Sequence, residues 1–356
     1  MATNLLAAAR AGDEHAFASL VGPHRGELHA HCYRLMGSVH DAEDALQETL
    51  LRAWRGLPRF QERSSLRSWL YTIATNTSLN QIAKRPSRVL PIDHLPATDA
   101  HSPHGIPAAE SAWIEPYPDE HLGLEDGYAT PESRYERREA VELAFVAALQ
   151  HLPGNQRAVL LLREVLGYSA KEAAEMLGTS VASVNSALQR ARAAVQERVP
   201  DRSQQATLRA LGDRAIRELV DRYVQAWERC DVPAFAALLT EDASFSMPPL
   251  ASWYRGRQEI AIWASGAALS GEVRWRTLPT RANGQLALGF YAWDEDQDAY
   301  RAFAVNVLTV RDTLIGDVVA FIARPTQGPD PQAYVRWDLA PLTDLFARFG
   351  LPELLG

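Results

Sequence analysis

The sequence predicts a multidomain protein: two all-α domains, the second a helix-turn-helix unit, followed by an α+β domain. Three observations point there. A chain of 356 residues exceeds what one small core organises. Apolar residues recur at helical spacing through residues 5–85 and 137–199, then shift to strand-like alternation beyond residue 243. Between the helical parts, residues 86–136 carry ten acids against two basic groups, with Pro86, Pro91, Pro96, Pro103, Pro107, Pro116, Pro118 and Pro131. Such a stretch cannot bury a core of its own and reads as a linker. The predicted order is a first helical domain over 5–85, the acidic linker over 86–136, a second helical domain over 137–199, an α+β domain over 208–330 and a tail over 331–356.

Composition narrows the class. An apolar fraction of 47% with 22% charged residues is that of ordinary globular protein. No run approaches the roughly 20 apolar residues of a membrane span, and the first residues show no secretory pattern. The two cysteines, Cys32 and Cys230, give no disulfide framework, so a reducing cytoplasm is expected. A net charge of −8 argues against nucleic acid only if it is spread evenly, and it is not. Residues 51–85 hold seven basic groups and a single acid, Glu62. That local excess is what a phosphate backbone would meet.

In the first domain, Asp41 to Arg55 is an amphipathic helix. Ala42, Ala45, Leu46, Thr49, Leu50 and Ala53 form its core stripe, while Asp41, Asp44, Gln47, Glu48 and Leu51 lie toward the other side. The charges alone fit a solvated face or a docking surface equally. Leu66 to Lys84 is a second such helix, with Leu66, Trp69, Leu70, Ile73, Ala74 and Thr77 inward. Arg67, Tyr71, Thr75, Asn76 and Ser78 are expected outside, a mixture of charge, ring and amide that suits unstacked bases. The short loop Gln61 to Ser65, with Arg63, Ser64 and Ser65, is small and polar enough to cradle a displaced base.

In the second domain, Ser169 and Glu172 spell a capping box that opens a helix running to Leu177. Gly178-Thr179-Ser180 supplies a tight turn and a hydroxyl cap for the next helix. Val181, Val184, Leu188, Ala191 and Val195 make that helix's inward stripe. Ala182, Ser183, Asn185, Ser186, Gln189 and Arg190 face out, small and polar enough to approach a major groove, with Arg192 and Arg198 placed for phosphates.

The strings themselves resemble a known family. DAEDALQETLLRAW (Asp41 to Trp54) and RSSLRSWLYTIATN (Arg63 to Asn76) resemble the second conserved region of sigma-70-type factors, in particular the extracytoplasmic-function (ECF) group. LPGNQRAVLLLR (Leu152 to Arg163) and GYSAKEAA (Gly167 to Ala174) resemble the fourth region. The resemblance implies that Asp44, Gln47, Glu48, Leu51 and Trp54 meet the clamp helices of the RNA polymerase β′ subunit. It implies that Arg63, Ser64, Ser65, Arg67, Tyr71, Thr75 and Asn76 take the melted −10 strand. Ser180, Ala182, Ser183, Asn185, Ser186, Gln189, Arg190 and Arg192 would read the −35 element, beside a contact to the β flap. One departure stands out: Ala182, Asn185 and Ala187 leave the start of the reading helix neutral where the group carries basic residues. The linker would run through the polymerase toward the RNA exit channel, its acids mimicking nucleic acid, unless it is a plain spacer.

The last part begins with a helix marked by Leu211, Ala215, Leu219, Tyr223, Ala226 and Trp227, then a short one from Pro233 to Leu239. Alternating strands follow at 243–247, 273–278, 285–293, 300–310 and 318–322, read as a curved antiparallel sheet. DASFSMPP (Asp242 to Pro249) and WYRGR (Trp253 to Arg257) resemble SnoaL-like members of the NTF2-like superfamily, which implies a cone with a pocket at its open end. Tyr223, Trp227, Asp242, Met247, Trp253 and Trp263 are the candidate pocket residues. All ten histidines lie at or before His151, so catalysis here would lack its usual base, and no enzyme activity is expected. No cofactor is expected either. His24, His29, His31 and Cys32 cluster, but adjacent residues on one helix diverge, so no metal is expected. Leu342, Leu345, Phe346, Phe349, Leu351 and Leu354 leave an apolar stripe on the tail; this tail, or the domain surface beside it, is predicted to pack on the helical domains and modulate polymerase access. The rival readings are a plain helix-turn-helix repressor, which leaves the first domain's motifs idle, and a regulator fused to a SnoaL-type isomerase or cyclase.

Overall fold

Ser38, Ser65, Ser169, Ser180 and Ser203 each cap a helix by accepting from the backbone N–H three residues on, so serine marks much of the helical architecture. The protein is described here from a computed structural model, which covers residues 2–102, 113–122, 136, 138–323 and 344–356. Pro103, Pro107, Pro131, Pro331 and Leu342 lie outside the described residues. The chain forms two compact units, Met1–Arg88 with Glu120–Asp201, and Val89–Asp119 with Arg202–Gly356.

The first unit is helical throughout. It holds α1 (Ala2–Arg10), α2 (Glu14–Val21), α3 (Arg25–Met36), α4 (Val39–Gly56), α5 (Leu66–Ile82), α6 (Leu143–Gln150), α7 (Gly154–Leu160), α8 (Ala170–Leu177) and α9 (Val181–Gln196). Gly37 ends α3 in the left-handed region at φ +70°, where a Cβ is strained, and Ser38 starts α4 at once. That start is two residues earlier than expected, which brings Asp41 inside: it is buried and paired with Arg88 at 2.8 Å and with Arg85. Sequence periodicity put Asp41 outward because its partners are more than 40 residues away. Helix α5 is likewise buried on more than its apolar side, since Tyr71, Thr75 and Ser78 have almost no exposure.

In the second unit, α10 (Gln204–Glu228) bends at Gly212 (φ +75°), and α11 (Val232–Ala237) starts with Pro233 in its first turn. Among the described residues seven strands follow: β1 (Leu239–Ser246), β2 (Trp253–Arg255), β3 (Trp275–Ala282), β4 (Gln285–Asp294), β5 (Ala299–Arg311), β6 (Leu314–Ile322) and β7 (Leu354–Leu355). Between β2 and β3 lies α12 (Arg257–Gly266), a helix the pattern reading passed over. The sheet order is β2-β1-β6-β5-β4-β3, with β7 added on β5. All pairings are antiparallel except β1 with β6, which no hairpin joins and whose direction no turn dictates. Leu219, Tyr223, Trp227, Phe235, Ile260 and Trp263 from the helices pack on Phe245, Leu288, Phe290 and Val318 of one sheet face.

Two expectations change here. The linker is not a bare spacer over its described part, because Val89–Asp119 belongs to the second unit. Asn283 and Gly284, both at positive φ, turn β3 into β4, as a two-residue hairpin requires. Asn283 then clamps the linker: its Oδ1 accepts from Tyr117 N–H at 2.9 Å, and its own N–H donates to the Tyr117 carbonyl at 2.8 Å. Trp113, Ile114 and Tyr117 are buried, and Trp253 holds the preceding stretch by donating from its indole to the Leu95 carbonyl at 2.8 Å. A segment with too little apolar surface for a core of its own shares the core of the sheet.

The tail changes likewise. A last short helix, α13 (Leu345–Arg348), leads into Phe349 and Leu351. Phe346 meets Tyr291 edge-on at 5.1 Å, and Tyr291 donates to the Pro352 carbonyl at 3.0 Å. Gly289 makes room: a Cβ there would stand 2.6 Å from Leu351. Leu345, Phe346 and Phe349 of the apolar stripe are therefore buried within their own unit, while Leu354 keeps 46% exposure.

Candidate nucleic-acid and protein interfaces

Helix α4 presents one free face. With Ala42, Ala45, Leu46, Thr49 and Ala53 turned inward, Asp44, Gln47 and Leu51 are exposed, and Glu48 and Trp54 half-buried. Leu51 keeps 50% of its surface in water, with Gln47, Glu48, Trp54 and Arg55 one turn to either side. Trp54 leans edge-on against Phe17 of α2 at 5.0 Å, which fixes its ring at the border of the patch. Glu48 accepts from Arg52 one turn on.

Helix α5 is different. The loop residues Arg63, Ser64 and Ser65 are exposed as expected, but the helix behind them is held by a residue that pattern reading missed. Glu27 of α3 accepts from Arg67 at 2.8 Å, from Tyr71 Oη at 3.2 Å and from His24 at 2.7 Å. Burial acts to raise its carboxyl, but the hydrogen bonds from His24 and Arg67 and their charges outweigh it and hold the group at about 2. Arg67 also lies over the Tyr71 ring at 4.8 Å. Thr75 spends its hydroxyl proton on the Tyr71 carbonyl at 2.7 Å and so accepts from His31 Nε2–H at 2.9 Å. Apart from His24 three residues before it, the partners of Glu27 lie 40 and 44 residues on, so no local pattern marks it.

Residues of the second helical domain complete this neighbourhood. Tyr168 meets Tyr71 edge-on at 6.2 Å, and Asn76 Nδ2 donates to the Met176 carbonyl at 3.3 Å. Tyr71, offered for base stacking, is 1% exposed.

The cluster His24, His29, His31 and Cys32 divides among separate partners. Burial and the neighbouring Arg34 and Arg67 push His31 down to about 3, and burial with His121 pushes His29 down to about 4. Burial drives the Cys32 thiol up to about 12, leaving it protonated. The sign for stability follows. Between the unfolded value near 6.5 and these folded values, the unfolded chain binds the extra protons. Stability contributed by the two neutral rings is therefore full above about pH 6.5 and lost as pH falls toward 4, with a slope approaching about 1.4 kcal/mol per pH unit for each. Urea melts of the whole chain from pH 7 to 4.5 should show this loss, and His31→Gln should reduce the slope; a stability flat over that window would refute the burial argument.

The helix-turn-helix forms as its capping residues direct. Ser169 and Glu172 close both bonds of the capping box, which lowers the Glu172 carboxyl, and Gly178 ends α8 at φ +61°. Ser180 caps α9, whose Ala182, Ser183, Asn185, Ser186, Gln189, Arg190 and Arg192 all project into solvent. Arg190 donates to Ser186 at 2.6 Å and Arg192 to Glu164 at 2.5 Å. Val181, expected inside, is 42% exposed because it is the first residue of the helix.

The candidate pocket of the last domain does not assemble. Tyr223, Trp227, Met247 and Trp263 lie in one buried core whose rings pack against one another, Trp227 against Phe290 at 4.8 Å for example. Trp253 is turned to the linker segment, and Asp242 is exposed, accepting from Thr240 at 2.8 Å and Arg311 at 2.8 Å. Rings that sequence spacing left available for a ligand fill the interior themselves.

Comparison with known proteins agrees with this geometry. The Sigma-70 region 2 model matches residues 20–88, the Sigma-70 region 4 model residues 142–195, and a SnoaL-like domain model residues 220–318. The ECF RNA polymerase sigma factor SigG of Mycobacterium tuberculosis is 41% identical over 97% of this chain and 86% of its own length. SigW of Bacillus subtilis, also an ECF RNA polymerase sigma factor, is 28% identical over 53% of this chain and 92% of its own. Among solved structures, the extracytoplasmic function sigma factor SigJ of Mycobacterium tuberculosis aligns with a TM-score of 0.54 at 23% identity. It covers 87% of this chain and 96% of that one, a likeness of fold.

Proposed function

The chain belongs to the ECF RNA polymerase sigma factors, and on that premise we propose which of its faces bind polymerase and DNA and what its last domain adds. It is a transcription-initiation subunit and not an enzyme. Region two spans 5–85, region four 137–199 and the SnoaL-like domain 208–330. The α4 face of Asp44, Gln47, Glu48, Leu51 and Trp54 docks on the β′ clamp helices of core RNA polymerase. Support comes from an exposed apolar residue, Leu51, set among the polar Asp44, Gln47 and Glu48 on one helix face.

Helix α9 reads the −35 duplex with Asn185, Ser186, Gln189 and Arg190. Its small outward side chains let the helix approach base edges, and Asn and Gln suit adenine. Arg63, Ser64, Ser65, Arg67, Tyr71, Thr75 and Asn76 take the −10 strand. No helix of the described residues is long and apolar enough to cross a membrane, and the setting proposed is the cytoplasm. The SnoaL-like domain regulates initiation, supported by its hold on the segment that joins the two regions.

The observation that carries this reading is the solvent-facing row on α9, set by Ser180 and Gly178. The test is promoter-specific transcription in vitro by core polymerase with and without the chain. Start sites should appear only with it. Asn185→Ala with Gln189→Ala should cost about 2–4 kcal/mol of promoter affinity, roughly 30- to 700-fold, and relax base preference at −35. Unchanged promoter choice would overturn the assignment.

A further inference from the structure

Helix α9 opens on an apolar residue that its own core leaves in water. The inward row starts at the buried Val184 and continues through Ala187, Leu188 and Ala191. Val181 lies one turn earlier, beyond that core, and is exposed. Ser180 closes the helix start by accepting from the Ser183 N–H at 3.1 Å, and the two hydroxyls meet at 2.9 Å. The cap fixes the first turn, so Val181 and Ala182 are held outward beside it. One exposed valine is common on any surface. Its position sets this one apart, because the first residues of the second helix in a helix-turn-helix are those that meet base edges.

A row runs from Val181 through Asn185 to Gln189, each one turn on, and all three are exposed. No charged side chain occurs from Gly178 to Gln189, so this row lacks the arginine or lysine that most often reads guanine. It offers amides, which pair with N6 and N7 of adenine, and methyl groups, which pack on the C5-methyl of thymine. Both partners belong to A·T pairs. From Val181 to Gln189 the row rises about 12 Å, roughly the length of three to four base pairs.

We propose, on the assignment of α9 to the −35 duplex, that this helix reads a block of A·T pairs there. Val181 packs on a thymine methyl at the leading end, and Asn185 and Gln189 take adenines behind it. Val181 is then a specificity-determining residue. The neutral start of the helix discriminates by burying methyl groups where a charged one would do so by pairing with guanine.

The test uses core polymerase with the full chain and a labelled promoter fragment whose start site the chain directs, with Kd read by fluorescence anisotropy. Each −35 thymine, on either strand, is replaced in turn by deoxyuridine, which keeps the pairing edge and removes only the C5-methyl. At one position this should weaken binding about fourfold, the worth of one buried methyl-sized group. Val181→Ala should bind the thymine fragment about four- to tenfold more weakly and hold its uracil form equally well. Alanine favours the helix, so circular dichroism should be unchanged. Equal affinity for every uracil form with the native chain overturns the proposal, as does a uracil penalty that Val181→Ala leaves intact, or a −35 element without A·T pairs. In those cases specific promoter binding remains and the assignment of α9 stands. If no fragment is bound specifically, that assignment fails and the methyl contact with it.

Discussion

Replacing Asp44, Gln47 and Glu48 together by alanine should weaken binding to core RNA polymerase by about 2–4 kcal/mol, roughly 30- to 700-fold in Kd, and remove promoter-specific transcripts. The fold should not notice. Asp44 and Gln47 are exposed, and Glu48 makes an exposed one-turn pair with Arg52 of the kind worth a few tenths of a kcal/mol. Loss of binding therefore reports on the face rather than on stability. Gel filtration of the chain with core polymerase measures the first quantity and thermal unfolding the second. Retained co-elution by a folded triple variant would remove this face from the polymerase contact.

The second large effect is on the SnoaL-like domain. Trp227→Ala should destabilise the second unit by about 3–5 kcal/mol, since the indole is 3% exposed and removing it leaves a cavity the neighbours cannot close. Its ring packs against Tyr223, Phe235, Phe245, Trp275 and Phe290, with centroids 4.8 to 6.3 Å away. A domain of this size should melt about 6–20 °C lower. Calorimetry should show this transition move while that of the helical unit, which has its own core, stays within a degree or two. Equal shifts in both would mean that the units unfold as one. The same variant should release the linker segment that Asn283 and Trp253 hold, increasing proteolytic cutting there.

Much of the helical architecture was legible because its signals are local. The Ser169–Glu172 box, the Gly178 stop and the Ser180 cap sit where their spacing predicts, and the outward row on α9 follows from a period of 3.6. The charge reading of the α4 face held for Asp44, Gln47 and Leu51 for the same reason. It failed at Asp41, where Arg85 and Arg88 arrive from another helix end, and at Tyr71 and Thr75, where α3 and region four close over a helix that a one-sided stripe made look half-open. Helical periodicity reports which side of a helix meets its nearest core. It carries no record of a second body on the other side.

The SnoaL-like domain divides along the same line. Alternation identified the major strands, yet not the parallel pairing of β1 with β6, because no turn connects them. Residue type and place offer Asp242 and the aromatic residues for a pocket; packing takes Tyr223, Trp227 and Trp263 into the core, Trp253 to the linker segment and Asp242 to Arg311 at the surface.

By itself, then, the order of residues determined the family, the fold class and the starts of the capped helices α5, α8 and α9, since these depend on contacts within a few positions of each other. Only the folded chain decided that the described parts of the acidic linker and the apolar tail lie on the SnoaL-like sheet, that Glu27 and Arg157 organise the helical unit, and that Tyr168 and Met176 close over Tyr71 and Asn76 of α5. Those outcomes come from hydrogen bonds and burial between residues 40 to more than 200 positions apart, whose complementarity no local pattern encodes.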